Sequence, residues 1–167
     1  DGENGRPLYK DSSQPIELRV NDLMRRMTLR EKVLQLQNNS TNNPDAMEST
    51  YKGESTGTAH EMSKSAAEAA VIFDRMHHYM ADNTRLGIPV LTSVEGIHGV
   101  LQNGCTIFPQ AIAQGSTFNP DLIQRMTTAI GKEARVIGIH QLLSPVLDIA
   151  RELRWGRVEE TFGEDPY

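Results

Sequence analysis

Residues Arg154–Tyr167 read RWGRVEETFGEDPY and place two arginines, a tryptophan and four carboxylates in fourteen positions. No other part of the chain concentrates chemistry to this degree. A guanidinium is a planar fork of five donors suited to carboxylates or to adjacent hydroxyls, so Arg154 and Arg157 beside the apolar wall of Trp155 furnish a sugar pocket. A surface loop stitched by Arg–Glu pairs of small energetic value is the alternative. The tryptophan and the glycines at 156 and 163 weigh against it.

Working outward, the residues immediately before this stretch alternate helical and apolar segments. Asn119-Pro120-Asp121 carries a cap, a proline for the first turn and an acid favoured by the helix dipole. Leu122, Met126, Ala129, Ile130, Ala134 and Ile137 then recur at helical spacing until Gly138. Ala111–Thr117 reads as a short strand of small residues and Gln141–Leu147 as another. Strand, helix, strand within about 35 residues is a βαβ unit, with parallel strands and a right-handed crossover. Pro145 lacks an N–H, which puts the strand's end or a bulge near Ser144. Asp148 onward is read as loop.

Further upstream, Leu86–Leu91 starts a short apolar strand, and Thr92 and Ser93 lead to Glu95. At the C-terminal end of a barrel strand such a carboxylate can accept hydrogen bonds from sugar hydroxyls. On spacing alone, capping or loop stabilisation is an equal reading. His98 fits a hydrogen-bonded supporting role better than that of a base. No convincing helix lies between Glu95 and Gln110, although a parallel crossover normally needs one. Either the early architecture is irregular or one strand runs antiparallel.

The stretches RWGRVEETFGEDPY, IPVLTSVEGIHGV (Ile88–Val100) and FPQAIAQGSTFNPDLI (Phe108–Ile123), with NDLMRRMTLREKV (Asn21–Val33) before them, together resemble the N-terminal domain of glycoside hydrolase family 3. The likeness runs from about residue 16 to the end. It implies an α/β fold, the N-terminal part of a TIM-type β/α barrel, in an exo-acting retaining β-glucosidase or β-xylosidase. It also tips Glu95 toward substrate binding and gives Arg157 the same role, each holding hydroxyls of the sugar being cleaved. The implied partners are a β-linked oligosaccharide or glycoside, the rest of the barrel and a C-terminal sandwich-like domain. No cofactor is implied, and a periplasmic or secreted location is.

Retaining glycosidases use two carboxyl groups about 5–5.5 Å apart. Glu159 and Glu160 do not suit that task, because neighbours in sequence diverge in direction. By the resemblance, the nucleophilic aspartate, the acid/base and a lysine-histidine pair lie beyond Tyr167. Arg154, Asp148 and Glu160 are expected to brace the loop through ion pairs. Glu152 and Leu153 depart from the family's common Asp-Pro before the arginine, which bears on the loop path.

Size points the same way. A complete eight-fold barrel takes about 250 residues, against 167 here. A hydrophobic content of 38%, a charged content of 23% and a net charge of −5 fit an ordinary globular chain and speak against a general nucleic-acid binder. No apolar run approaches the ~20 residues that span a bilayer. The chain starts with Asp1, which suits a processed secreted protein and an excised piece equally. Cys105 alone cannot form an intrachain disulfide and reads as a buried small hydrophobe. Asn38-Asn39-Ser40-Thr41 holds two overlapping glycosylation patterns of little weight.

Residues 1–15 read as an extended lead-in and 16–167 as the barrel portion. Ile16, Val20, Leu23, Met24 and Met27 predict a packing helix with one buried stripe. Thr28 and Glu31 form a capping-box pattern opening a second helix through Leu36. Residues 38–57 are expected to form a long surface loop. A helix over about Ser63–Thr84 presents Ala66, Ala69, Ala70, Phe73, Met76 and Met80 on one face. His77 and His78 on it point about 100° apart, cannot share a metal, and read as surface or boundary residues. The alternative to an enzyme part is a non-catalytic structural or weakly sugar-binding fragment.

Overall fold

The structure is a computed structural model that describes residues 5–60 and 65–166. Helix starts follow the local chemistry. The Thr28 hydroxyl accepts from the Glu31 N–H while the Glu31 carboxylate accepts from the Thr28 N–H, and this reciprocal pair opens α2, Leu29–Leu34, behind α1, Ile16–Arg26. Ser65 and Glu68 make a second such box at the head of α4, Ala66–Asn83. The expected start at Ser63 lies outside the described residues. Asn119 caps α6, Pro120–Ile137, through the Leu122 N–H, and Gly138 ends it at φ 93°, where a side chain would be strained.

The three strands among the described residues are short. β1 (Thr58–His60), β2 (Leu91–Val94) and β3 (Gln141–Leu142) form one parallel sheet in that order, with Ala59 opposite Thr92 and Ser93 opposite Gln141. All three therefore point their C-terminal ends to one edge. The core lies between this sheet and α4 and α6, which pack on each other. It is filled by Ile72, Phe73, Met76 and Met80 of α4, Val90 and Val94 beside and within β2, and Ile130 and Ile137 of α6. On α4, Ala69, Phe73, Met76 and Met80 are buried as the periodicity predicts; Ala66 and Ala70 are partly buried against the same cluster.

Several expectations are corrected. Ala111–Thr117 is not a strand: Ala111–Gly115 form the helix α5, whose Gln114 side chain donates back to the Pro109 carbonyl. The crossover into β3 therefore starts at β2 and passes through the 95–110 loop, α5 and α6. This removes the difficulty of the missing helix, and every described strand pairing is parallel. β2 begins where the apolar run Leu86–Leu91 was expected to end, so that run is mostly a lead-in to the strand. Nor is 38–57 all loop: α3 (Met47–Tyr51) buries Met47 and Tyr51, and the Tyr51 hydroxyl donates to the Asn39 carbonyl. The lead-in carries a 3₁₀ turn at Leu8–Lys10. β3 stops at Leu142, short of Pro145, which follows a cis peptide bond.

The stripe on α1 is not buried. Ile16, Val20 and Met24 are exposed, and only Met27, past the helix end, is buried. Periodicity specifies an amphipathic face but not what covers it. α1 is held instead by polar contacts at its edge: Asp22 accepts from the Tyr9 N–H at 3.1 Å and pairs with Arg26, while the Tyr9 hydroxyl donates to the Leu86 carbonyl.

Candidate functional site

The C-terminal edge of the sheet delivers Glu95, the residue directly after β2 and partly buried. Gly96 follows it so closely against Leu142 that an added Cβ would come within 2.7 Å of that side chain. The loop beyond is held by a reciprocal pair between His98 and Phe108: the Phe108 N–H donates to the His98 carbonyl, and His98 Nδ1 lies 2.8 Å from the Phe108 carbonyl. His98 is thus hydrogen-bonded within its loop.

Arg157 comes from the terminal segment, where it stands just before the 3₁₀ turn Val158–Glu160. Thr161 anchors that turn; it is fully buried, and its hydroxyl donates to the Val158 carbonyl at 2.8 Å. One residue on, the Phe162 carbonyl rests against Gly115 of α5, at 2.3 Å from where a Cβ would stand, so no larger residue fits without a shift. The Ala150 N–H donates to the Gly163 carbonyl and closes the loop on itself. These anchors carry no helical or strand periodicity, and nothing in the residue pattern singles them out.

Arg157 donates from Nε (2.9 Å) and Nη2 (2.5 Å) to Oε2 of Glu160. This hydrogen-bonded pairing is the main cause that raises its pKa above the ordinary arginine value, and the charges of Asp148 and Glu95 add to it. The same pairing lowers the Glu160 carboxyl below its ordinary range. Glu160 thus holds the Arg157 guanidinium by direct hydrogen bonds, and Asp148 and Glu95 act on it only through weaker charge interactions. The two residues expected to bind substrate are brought within electrostatic reach of each other.

Arg154 behaves differently. Its backbone N–H and guanidinium all turn to Glu152, with Nε at 2.9 Å and Nη2 at 2.7 Å, and hold that carboxyl down at about 2. Arg154 and Glu160 each form an ion pair within the loop, as expected: the partner of Arg154 is Glu152, two residues away and exposed, and that of Glu160 is Arg157. Glu160 pairs with Arg157, whereas the neighbouring Glu159 is exposed. Trp155 is partly buried beside this segment. An apolar groove of about 540 Å³ between α5 and the terminal segment is lined by Ile112, Phe118, Leu153 and Phe162, but not by Glu95 or Arg157.

The other candidates lie elsewhere. His78 is exposed, as read from sequence, and its Nδ1 faces the Asp74 carbonyl. His77 is partly buried, stands edge-on to His140 at 4.9 Å between centroids, and has a buried Nε2 with no hydrogen-bond partner. Among the described residues no cluster of three or more metal-ligating side chains occurs, and no helix is long and apolar enough to cross a membrane. Cys105 packs partly buried against the core, and burial raises its thiol pKa.

The sequence model of the glycosyl hydrolase family 3 N terminal domain matches residues 28–167. The chain belongs to this family. A beta-xylosidase of Formosa agariphila is 44% identical over 91 residues, which cover 51% of this chain and 13% of that protein. A periplasmic beta-glucosidase of Salmonella typhimurium is 30% identical over 155 residues, 89% of this chain and 19% of the relative. The solved β-glucosidase of Erythrobacter marinus superposes with a TM-score of 0.80 at 32% identity, over 96% of this chain and 22% of that one. The chain thus spans about a quarter of the length of its curated relatives. The α/β architecture with its parallel sheet is part of the TIM-type barrel of the family's N-terminal domain.

Proposed function

We propose that the protein carrying this chain is a retaining, exo-acting β-glycosidase of the β-glucosidase or β-xylosidase type, and that residues 16–167 contribute the sugar-binding edge of its barrel. Glu95 and Arg157 hold hydroxyls of the sugar being cleaved. The observation that carries this reading is the position of Glu95 directly after β2, at the C-terminal edge of the parallel sheet, in a chain that belongs to glycosyl hydrolase family 3 and holds Arg157 in its terminal segment. A carboxylate accepts from a hydroxyl and a guanidinium donates to one, so the pair can grip adjacent hydroxyls of a pyranose in complementary senses.

The nucleophilic aspartate belongs to a motif after Tyr167 and the acid/base to a later one still, and Glu159 and Glu160 take no part in bond cleavage. Hydrolysis is a two-step displacement needing two carboxyl groups about 5–5.5 Å apart, which neighbouring residues do not supply. A periplasmic or secreted location accords with the named periplasmic relative. The test is turnover of 4-nitrophenyl β-glucoside and β-xyloside by the full-length protein and by its Glu95→Gln and Arg157→Ala variants. Loss of kcat/KM in both variants with melting unchanged supports the reading. Sugar binding without turnover by the full-length protein would favour a non-catalytic role instead.

A further inference from the structure

We infer that Glu160 is a positioning residue that sets the orientation of Arg157, an inference that rests on Arg157 being a sugar contact. Arg157 has a long side chain that is 56% exposed, whereas the Glu160 side chain is 19% exposed. The 3₁₀ turn brings the two together across three residues, and the buried Thr161 fixes the Glu160 end of that turn. Both Nε and Nη2 of Arg157 converge on a single oxygen, Oε2 of Glu160. One edge of the guanidinium is thereby occupied, and its rotation about the side-chain axis is restricted. Nη1 makes no contact with Glu160 and stays available on the opposite edge.

An ion pair with one partner more than half exposed contributes little to stability. Its consequence lies in orientation, since a donor fork held in place loses less conformational freedom on binding a hydroxyl than a mobile one. Glu160 therefore acts through Arg157 and touches no substrate atom. Arg154 is paired along the same Nε and Nη2 edge, but its partner Glu152 is itself exposed, whereas Glu160 is largely buried.

A double-mutant cycle in the full-length enzyme tests this, with kcat/KM on whichever aryl glycoside it hydrolyses and thermal melting measured beside it. Glu160→Ala alone should reduce kcat/KM roughly ten-fold, and less than about two-fold in the Arg157→Ala background, with melting unchanged in both. Glu160→Gln should retain part of the activity, because its amide oxygen still accepts. An equal loss in both backgrounds, or a loss that tracks a fall in melting, overturns the inference. If Arg157→Ala is costly and Glu160→Ala is harmless, this inference alone fails. If Arg157→Ala is harmless, the sugar-binding reading falls and takes this one with it.

Discussion

Helices α1 and α4 carry apolar residues at the same spacing and meet opposite fates. α4 buries six side chains, among them Phe73 and Met76 with no exposed surface, whereas α1 buries none within its span and leaves Ile16 72% exposed. The difference is one of neighbours. α4 lies on a sheet and against α6, while α1 meets the rest of the described chain through Tyr9, Asp22 and Arg26. A wider contrast follows it: the α4 side holds the fold together by burial, and the terminal segment, with its ion pairs, is where we propose that the sugar is held.

The largest effect should come from breaking the buried side. Phe73→Ala removes a ring with no exposed surface and should destabilise by about 3–5 kcal/mol, read by denaturant titration of the full-length protein, whereas Val20→Ala on α1 should change little. If the two cost the same, the contrast between the helices is wrong.

On the chemical side, Arg157→Ala should lower kcat/KM by roughly ten- to a few-hundred-fold with melting preserved. Lysine there should not rescue fully, because it lacks the fork. The local cap offers an intermediate effect on stability: Thr28→Ala should cost about 1 kcal/mol, since it leaves the Glu31 N–H without its acceptor.

Two pH dependences sharpen the comparison. Glu31 is held down at about 2, chiefly by its hydrogen bonds from Arg85, so its contribution is complete above the ordinary carboxylate range and lost as pH falls toward 2. Arg85→Ala should flatten that acid limb. On α4, burial first and then the charge of His140 lower the His77 pKa, with Asp74 opposing and His78 assisting. The unfolded chain then binds the proton more readily, so stability is complete above about 6.5 and falls as pH drops below it. His78 is shifted upward, mainly by its hydrogen bond to the Asp74 backbone, and has the opposite sign. Melting followed from pH 7.5 to 5 should show a smaller acid loss in His77→Phe and a larger one in His78→Gln.

The smallest effect belongs to Arg154. Its pairing with Glu152 is local and exposed, so Arg154→Ala should leave melting within error and kcat/KM within about two-fold. A crippling loss of activity in that variant would mean that the roles of the two arginines are reversed.

What the sequence determined alone are features closed by bonds over three or four residues, together with the family. The Thr28–Glu31 box, the Asn119 cap and the Gly138 terminus are legible because donor and acceptor stand at fixed offsets along a helix. Glu95 at a strand end and Arg157 in the terminal stretch came from the resemblance. Tertiary structure decided the rest. Ala111–Gly115 is as compatible with a short strand as with a helix, and among the described residues no strand pairs with it, so α5 prevails. β1 spans three residues, too few for a period, and exists because β2 offers a free parallel edge. Which arginine takes Glu160 depends on the 3₁₀ turn that Thr161 and Gly115 fix in place, through contacts that no spacing in the chain encodes.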